Sequence, residues 1–458
     1  MNNPQSTGVL AAALTQTLAA RAIALKYDDL PSDIRALAVQ CVLDWVAVAI
    51  AGSKEPLVQI LWDNLCEQGG HPQATVLGTN SRMPVTTAAL INGAASHALD
   101  FDDVNLSMSG HPTVAVLPAV LALAEQRNAT GAELLTAFVA GYETECAIGA
   151  HIGSSHYARG FHSTATIGSF GSAAACANLM QLDTVQTAYA FGIAGTQAAG
   201  LKSMFGTMCK PLHAGRAAYN GLFAAMLAAR GFDSRSNVLE AAQGFAATQS
   251  DGIKTVEPGT PKGGFYLHSN LFKYHASCYL THAAIECARR IMNEHSLTPS
   301  DVKHAYVVVD AGCDKVCNIS EPHTGLEAKF SLRQTVAFAL AGIDTARLDT
   351  FDEAKIADPI VSALHKKVSV ELALDLPHTL THMALETTDG RRFTTSHDAG
   401  IPTPSIEEQG QKLIAKFRAL VTPVLGKERA EEILTAVQRL ATSSSVSDLT
   451  SLLVKPLK

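Results

Sequence analysis

From its start to about Gly244 the chain sets Ala, Leu and Val at three- and four-residue spacing, punctuated by Gly, Pro, Asp and Ser. That period belongs to helices with a buried face, so helices dominate this half. The spacing predicts them over residues 8–26, 31–51, 56–68, 86–98, 112–126, 131–152, 164–180, 185–199, 211–231 and 238–244. Several open on Pro, whose fixed φ and missing N–H suit the first helical position. At 458 residues, 47% of them hydrophobic, the chain exceeds the usual size of one domain, and two are expected.

The texture changes after Ala246. Residues 251–264 (DGIKTVEPGTPKGG) are rich in Gly and Pro and mark a domain boundary. Beyond it, 304–310 and 368–374 carry β-branched residues, and 382–395 reads as two strands joined by a turn at Asp389-Gly390. With helices over 279–295 and 327–341, this second region is α+β. Helical periodicity returns over about 405–421, 427–442 and 447–453, as if the chain rejoined its first domain. The expected division is therefore 1–264 helical, 265–402 α+β and 403–458 helical. No internal repeat or low-complexity tract interrupts it.

A net charge of −7 and a pI near 6.2 argue against nucleic acid as a partner, which calls for a basic face. Residues 1–8 lack the basic and apolar regions of a secretory signal. The apolar stretch 36–52 contains Gln40 and Asp44 and is too short to cross a bilayer comfortably, so it reads as a buried helix and no membrane partner is expected. The 9 cysteines form no CxxC pair and read as reduced thiols of a cytoplasmic protein. An anionic substrate would have to find positive charge gathered locally against this acidic average.

Three segments concentrate ionisable groups. His97-Ala-Leu-Asp100-Phe-Asp102-Asp103 and Gly110-His111-Pro112-Thr113 place carboxylates and an imidazole in one helix-to-helix loop, a common location for a site. Each aspartate alone could equally cap a helix end. An Asp-rich motif among helices also invites a terpenoid-cyclase reading. Carbocation chemistry, however, needs aromatic walls, and this chain is only 6% aromatic. Arg159-Gly-Phe-His162-Ser-Thr-Ala-Thr166 puts His162 beside hydroxyls at a helix start. In Lys202-Ser-Met-Phe-Gly-Thr-Met-Cys-Lys210-Pro211-Leu-His213-Ala-Gly-Arg216, Pro211 as first helical residue would put Lys210 at a helix N-terminus, where N–H groups and the dipole favour an anion. A bound carboxylate would balance the cations of Lys210, Lys202 and Arg216, and crowded, half-buried cations suit acid–base work.

Together these stretches resemble the MmgE/PrpD family: H-x-x-D-F-D-D with G-H-P-T, G-F-H-S-T-x-T-x-G, and K-S-M-F-G-T-M-x-K-P-L-H-A-G-R-A-A. Gly141-Tyr142-Glu143, Lys273-Tyr274 with Ser277-Cys278, and Leu326 to Ser331 extend the likeness along nearly the whole chain. The resemblance implies a mainly α protein: a large all-helical domain built from both chain ends, a smaller α+β lid, and a homodimer. It implies enzymes acting on small polycarboxylates without metal or organic cofactor, among them 2-methylcitrate dehydratase, cis-aconitate decarboxylase and iminodisuccinate epimerase. Asp100, His111, His162 and Lys210 fall on positions resembling the decarboxylase's active site. Val104 and Gln334 stand where that likeness leads one to expect threonine and tyrosine. K-P-L-H-A-G-R also departs from the W-A-A-G-D of methylcitrate dehydratases. Epimerisation of an amino-dicarboxylate such as iminodisuccinate is left leading, with the lyases as runners-up and a non-catalytic polycarboxylate-binding protein as the rival class.

A C–H beside a carboxylate is a very weak acid, so such an enzyme must hold a multiply charged enediolate with preorganised cations. The expected roles follow: Lys210, Lys202 and Arg216 hold carboxylates, His111 and His162 exchange the proton, and Asp100 orients an imidazole. His213, Lys273 and Gln334 complete the expected substrate-binding set.

Overall fold

A computed structural model of the chain describes residues 13–254 and 261–454. Residues 8–12 of the expected opening helix and 255–260 of the expected linker lie outside the described residues. The fold is mainly α. Its contacts divide it into two compact units: residues up to Asn270 together with those from Thr403, and Leu271–Pro402.

The first unit is built on helices α1 (Leu14–Ala24), α2 (Ser32–Gly52), α3 (Pro56–Gln68), α4 (Val85–His97), α5 (Thr113–Arg127), α6 (Gly131–Ile152), α7 (Ser163–Leu179), α8 (Thr184–Gly195) and α9 (Cys209–Ala228). Thr130 and Glu133 start α6, and Asp183 and Gln186 start α8, as reciprocal caps of the end N–H groups. α2 is the one described helix long and apolar enough to cross a membrane, and 78% of that stretch is buried as core. The unit is not purely helical. Strands β1 (Ala74–Thr75) and β2 (Arg82–Met83) form a short hairpin. Buried Glu125 on α5 holds it by bonding Thr75 N–H at 2.8 Å, its hydroxyl at 2.7 Å and Arg82 at 2.6 Å. The expected helix over 238–244 is a run of turns instead. There Leu239 N–H bonds Thr15 Oγ1 on α1 at 3.1 Å, and Phe245 N–H returns to Val238 O at 2.8 Å. The unit also runs past the expected boundary at 264. Glu143 accepts the N–H groups of Tyr266 and Leu267, both at 2.9 Å, and Asn270 takes the Tyr142 hydroxyl at 2.8 Å.

The second unit carries a four-stranded sheet in the order β4-β3-β5-β6, from β3 (Val302–Asp310), β4 (Val368–Ala373), β5 (Leu380–Thr387) and β6 (Arg392–Asp398). β4 runs parallel to β3, β5 antiparallel to β3, and β6 antiparallel to β5. Gly390 turns the β5–β6 hairpin at φ 89°. Alternation along β5 buries Thr381, Met383, Leu385 and Thr387. Helix α10 (His282–Glu294) packs on β5 and β6 and against α11 (Leu332–Leu340). The helix expected over 327–341 is broken, because Ser331 accepts the Gln334 N–H and so starts α11 afresh.

The chain then returns to the first unit with α12 (Ile406–Leu425) and α13 (Lys427–Gln438). Gln40 on α2 donates to Ile406 O at 2.7 Å and accepts from Gln409 at 2.8 Å. Deeper in, Lys416 on α12 meets Asp44 on α2 at 2.7 Å.

One close approach positions the site. A Cβ on Gly93 of α4 would lie 2.8 Å from Gly215 Cα of α9, and one on Gly215 would lie 2.2 Å from Leu90 O. Backbone therefore packs on backbone, and any side chain there would force α4 and α9 apart. This brings the end of α4 against the first turns of α9.

Candidate active site

After α4 the chain reverses sharply. Asp100 takes the left-handed conformation (φ 52°), which Asp tolerates better than most residues, and its N–H bonds back to His97 O at 3.2 Å. The loop then closes on itself through Asn105 N–H to Gly110 O at 3.0 Å and Gly110 N–H to Asn105 O at 3.4 Å. His111 thereby comes back beside the aspartates, its own N–H held by Thr164 Oγ1 of α7 at 3.0 Å. From the far end of the chain, Lys416 donates to Phe101 O at 2.6 Å and fixes the loop from below.

Asp102 is the pivot. Both its oxygens lie 3.0 Å from His97 Nδ1, and Oδ2 lies 2.8 Å from His111 Nδ1 in a close, angled contact. Burial acts to raise its pKa, but the charge and hydrogen bonding of the two imidazoles outweigh this and hold it well below the usual carboxylate range. Asp102 is thus an anion that orients two rings. Asp103, the next residue, faces the other way and caps α5 through Thr113 (2.5 Å to the hydroxyl, 3.3 Å to the N–H). Burial pushes it up to about 7.

Asp100 was expected to orient an imidazole. Instead its Oδ1 accepts from Lys210 Nζ at 2.7 Å and stands 3.8 Å from His111 Nε2. Helix α9 begins at Cys209, so Lys210 lies inside the first turn, is buried, and meets a carboxylate of the protein itself. His213, one turn further on the same face, has its Nδ1 3.0 Å from His162 Nδ1, so one of these atoms carries the proton and the other accepts it. The His97 and His162 rings stack with centroids 5.8 Å apart, and His97 and His111 meet edge to face at 4.6 Å. Burial, opposed in part by Asp102, pulls His97 down to about 4. Burial together with the neighbouring His97 and Lys210 charges holds His162 well below its ordinary value. Both imidazoles are therefore neutral at neutral pH.

Asp100, His111, His162, Lys210 and His213 therefore meet in one buried cluster. Lys202 lies on the adjoining segment, its Nζ 3.1 Å from Tyr157 O and over the Tyr157 ring, and Phe205 just beyond it packs against His162. Arg216 lies elsewhere. It is exposed, stacks on Tyr219 and donates to Asn220 at 3.3 Å, since six residues carry it about 240° round α9 from Lys210. Lys273 and Gln334 are buried in the second unit, where the Gln334 Nε2 has no hydrogen-bond partner among the described residues. His97, Asp102 and Lys416 were not singled out from sequence. The first two stand inside the H-x-x-D-F-D-D motif, but spacing does not say which aspartate faces an imidazole. Ligand atoms of His97, Asp100, Asp102 and His111 lie within 4.8 Å of one another and are the described group able to hold a metal ion.

A mainly α protein that gathers neutral imidazoles, an ordering carboxylate and a paired lysine in one buried cluster has the equipment for proton transfer next to a held anion. Residues 16–256 match the MmgE/PrpD N-terminal domain and residues 275–442 the MmgE/PrpD C-terminal domain, so the chain belongs to the MmgE/PrpD family. It is similar along its length to proteins named cis-aconitate decarboxylase: 29% identical to that of Homo sapiens, over 97% of this chain and 95% of the relative. To that of Mus musculus it is 28% identical over 97% and 94%, and to that of Aspergillus terreus 28% over 95% and 94%.

Proposed function

We propose that this chain is a cofactor-independent lyase acting on a small polycarboxylate, with a cis-aconitate-like tricarboxylate as the first substrate to try. The observation that carries the reading is the meeting of Lys210 with Asp100 beside His111 and His162. The relatives' printed activity moves the lyase reading ahead of the epimerase expected from sequence alone.

The chemistry follows from charge. When a carboxylate leaves as CO2, its electron pair remains on the adjoining carbon system, and the remaining carboxylates must share that negative charge. Lys210 is the cation at hand, and substrate entering the cluster exchanges its carboxylate for Asp100 as the partner of Nζ. The carbanion then needs one proton, delivered by His111, which the two carboxylates Asp100 and Asp102 flank. Asp102 keeps His111 turned so that Nε2 faces the Asp100 side and stabilises the ring when it carries charge. With the reading go a homodimer, a cytoplasmic location, and Lys273 and Gln334 as substrate contacts.

Epimerisation of iminodisuccinate is the second reading, favoured by Val104 and Gln334 where threonine and tyrosine were expected. It uses the same anion, with one imidazole removing the α proton and another returning it on the opposite face. NMR in heavy water on cis-aconitate, 2-methylcitrate, citrate and iminodisuccinate separates the readings. CO2 release from cis-aconitate with one deuteron gained supports the first. Exchange and loss of optical rotation in iminodisuccinate replace it with the second. Inertness towards all four, with binding retained, leaves a non-catalytic polycarboxylate-binding protein.

A further inference from the structure

We infer that His97, Asp100, Asp102 and His111 also form a binding site for a divalent transition-metal ion of the zinc class, which enters as an inhibitor and not as a cofactor. The binding stands on geometry alone; the inhibition rests on the function proposed above.

Two imidazoles and two carboxylates are a ligand set that suits zinc. Their ligand atoms lie within 4.8 Å of one another, and three of the four residues are buried. The contacts at Asp102, 3.0 Å from His97 Nδ1 and 2.8 Å from His111 Nδ1, are close to the separation of about 3.3 Å between neighbouring ligands when zinc bonds are about 2.0–2.1 Å. Opening the group by a few tenths of an ångström therefore admits the ion.

A second observation points the same way. His97 Nε2 is buried and has no hydrogen-bond partner among the described residues, which is unusual for a polar atom in a folded core. It can carry the ring's proton once Nδ1 is bound to metal, the proton passing from one nitrogen to the other through solvent, so that the ring stays neutral. Charge favours the exchange too: Asp100 and Asp102 bring two carboxylates against the single ammonium of Lys210. A dication on Asp100 displaces Nζ and occupies His111, the two groups the proposed chemistry needs.

The test is calorimetric titration of the chelator-stripped protein with ZnCl2, without substrate. The expected result is one high-affinity site per chain, weakened at least about tenfold in both Asp102→Asn and His111→Ala and unchanged in His71→Ala, an exposed histidine elsewhere. Unchanged affinity in the two site variants, or no binding by the native chain, overturns the site. His111 lies at the rim with its side chain 12% exposed, so its truncation keeps the test open if Asp102→Asn does not fold. Turnover of cis-aconitate is then followed with and without zinc. Competitive inhibition lost on adding chelator is expected, and tight binding without inhibition overturns the inhibitory role. Because binding is read without substrate, failure of the proposed activity leaves the titration to stand on its own.

Discussion

The first unit holds two buried lysine–aspartate pairs of equal length, Lys416 with Asp44 and Lys210 with Asp100, both at 2.7 Å. Around Lys416 everything is fixed. Its second bond goes to Phe101 O, its ammonium sits 3.9 Å over the Phe101 ring, and it ties α12 to α2. Around Lys210 the neighbours can change state: the imidazoles of His111, His162 and His213 gather near it, and its carboxylate partner sits on a turn held in an uncommon conformation. A buried ion pair rarely stabilises more than an apolar pair of the same volume would. Each pair therefore persists for another reason, one as a fastening for the loop and the other, under the proposed function, as a charge kept ready for an incoming anion.

Substitution separates the two roles. Lys210→Ala is expected to lower kcat/KM on the responsive substrate by about 10³-fold or more, the scale of losing a group used in the transition state, with the circular dichroism of the fold retained. Lys416→Met is expected to cost about 3–5 kcal/mol of stability by stranding Asp44, measured as a lower denaturation midpoint, while the molecules that remain folded keep kcat within about tenfold. If both variants lost activity alike with the fold intact, the distinction between fastening and chemistry would be broken.

Asp102 and Asp103 repeat the contrast one residue apart. Two imidazoles hold Asp102 ionised, whereas Asp103, buried with Thr113, is pushed from 3.8 up to about 7. The sign follows from linkage. Between pH 3.8 and 7 the unfolded chain releases this proton and the folded chain keeps it, so the group's contribution is full below pH 3.8 and is lost as pH rises through 7. Asp103→Asn keeps an acceptor for Thr113 and does not titrate. Its stability relative to the native chain is expected to improve by on the order of 4 kcal/mol between pH 4 and pH 8. A flat difference across that range in urea titrations would remove Asp103 from the account.

Legibility followed the length and repetition of the signal. The helices expected over 31–51, 56–68 and 131–152 match Ser32–Gly52, Pro56–Gln68 and Gly131–Ile152, since many turns of one pattern leave little room for another reading. The stretch 238–244 offered two turns of pattern and was overruled by a bond from Leu239 to Thr15, more than two hundred residues away in the chain. The same holds at the site. Asp100, His111, His162 and Lys210 stood in the segments rich in ionisable groups and were singled out by the match of those segments to a family's motifs. Which aspartate orients which ring depends on the left-handed turn at Asp100, a backbone angle that spacing does not give, and on Lys416 holding the loop from a distant part of the chain.

Arg216 tests how far a motif can be trusted over helix geometry. It shares one stretch of sequence with Lys210 and His213, and in the sequence it reads with Lys210 and Lys202 as one group of cations. On the helix only His213 follows Lys210 onto the site face, while Arg216 turns outward to Tyr219 and Asn220. An exposed guanidinium stacked on a neighbouring tyrosine is expected to contribute less than about 1 kcal/mol. Arg216→Ala should therefore leave KM and kcat within about threefold of the native values, against the thousandfold loss at Lys210. A rise in KM of tenfold or more with kcat unchanged would mean that this face of α9 does meet the substrate's carboxylates, and the site would then have to be drawn larger than the cluster around Asp100.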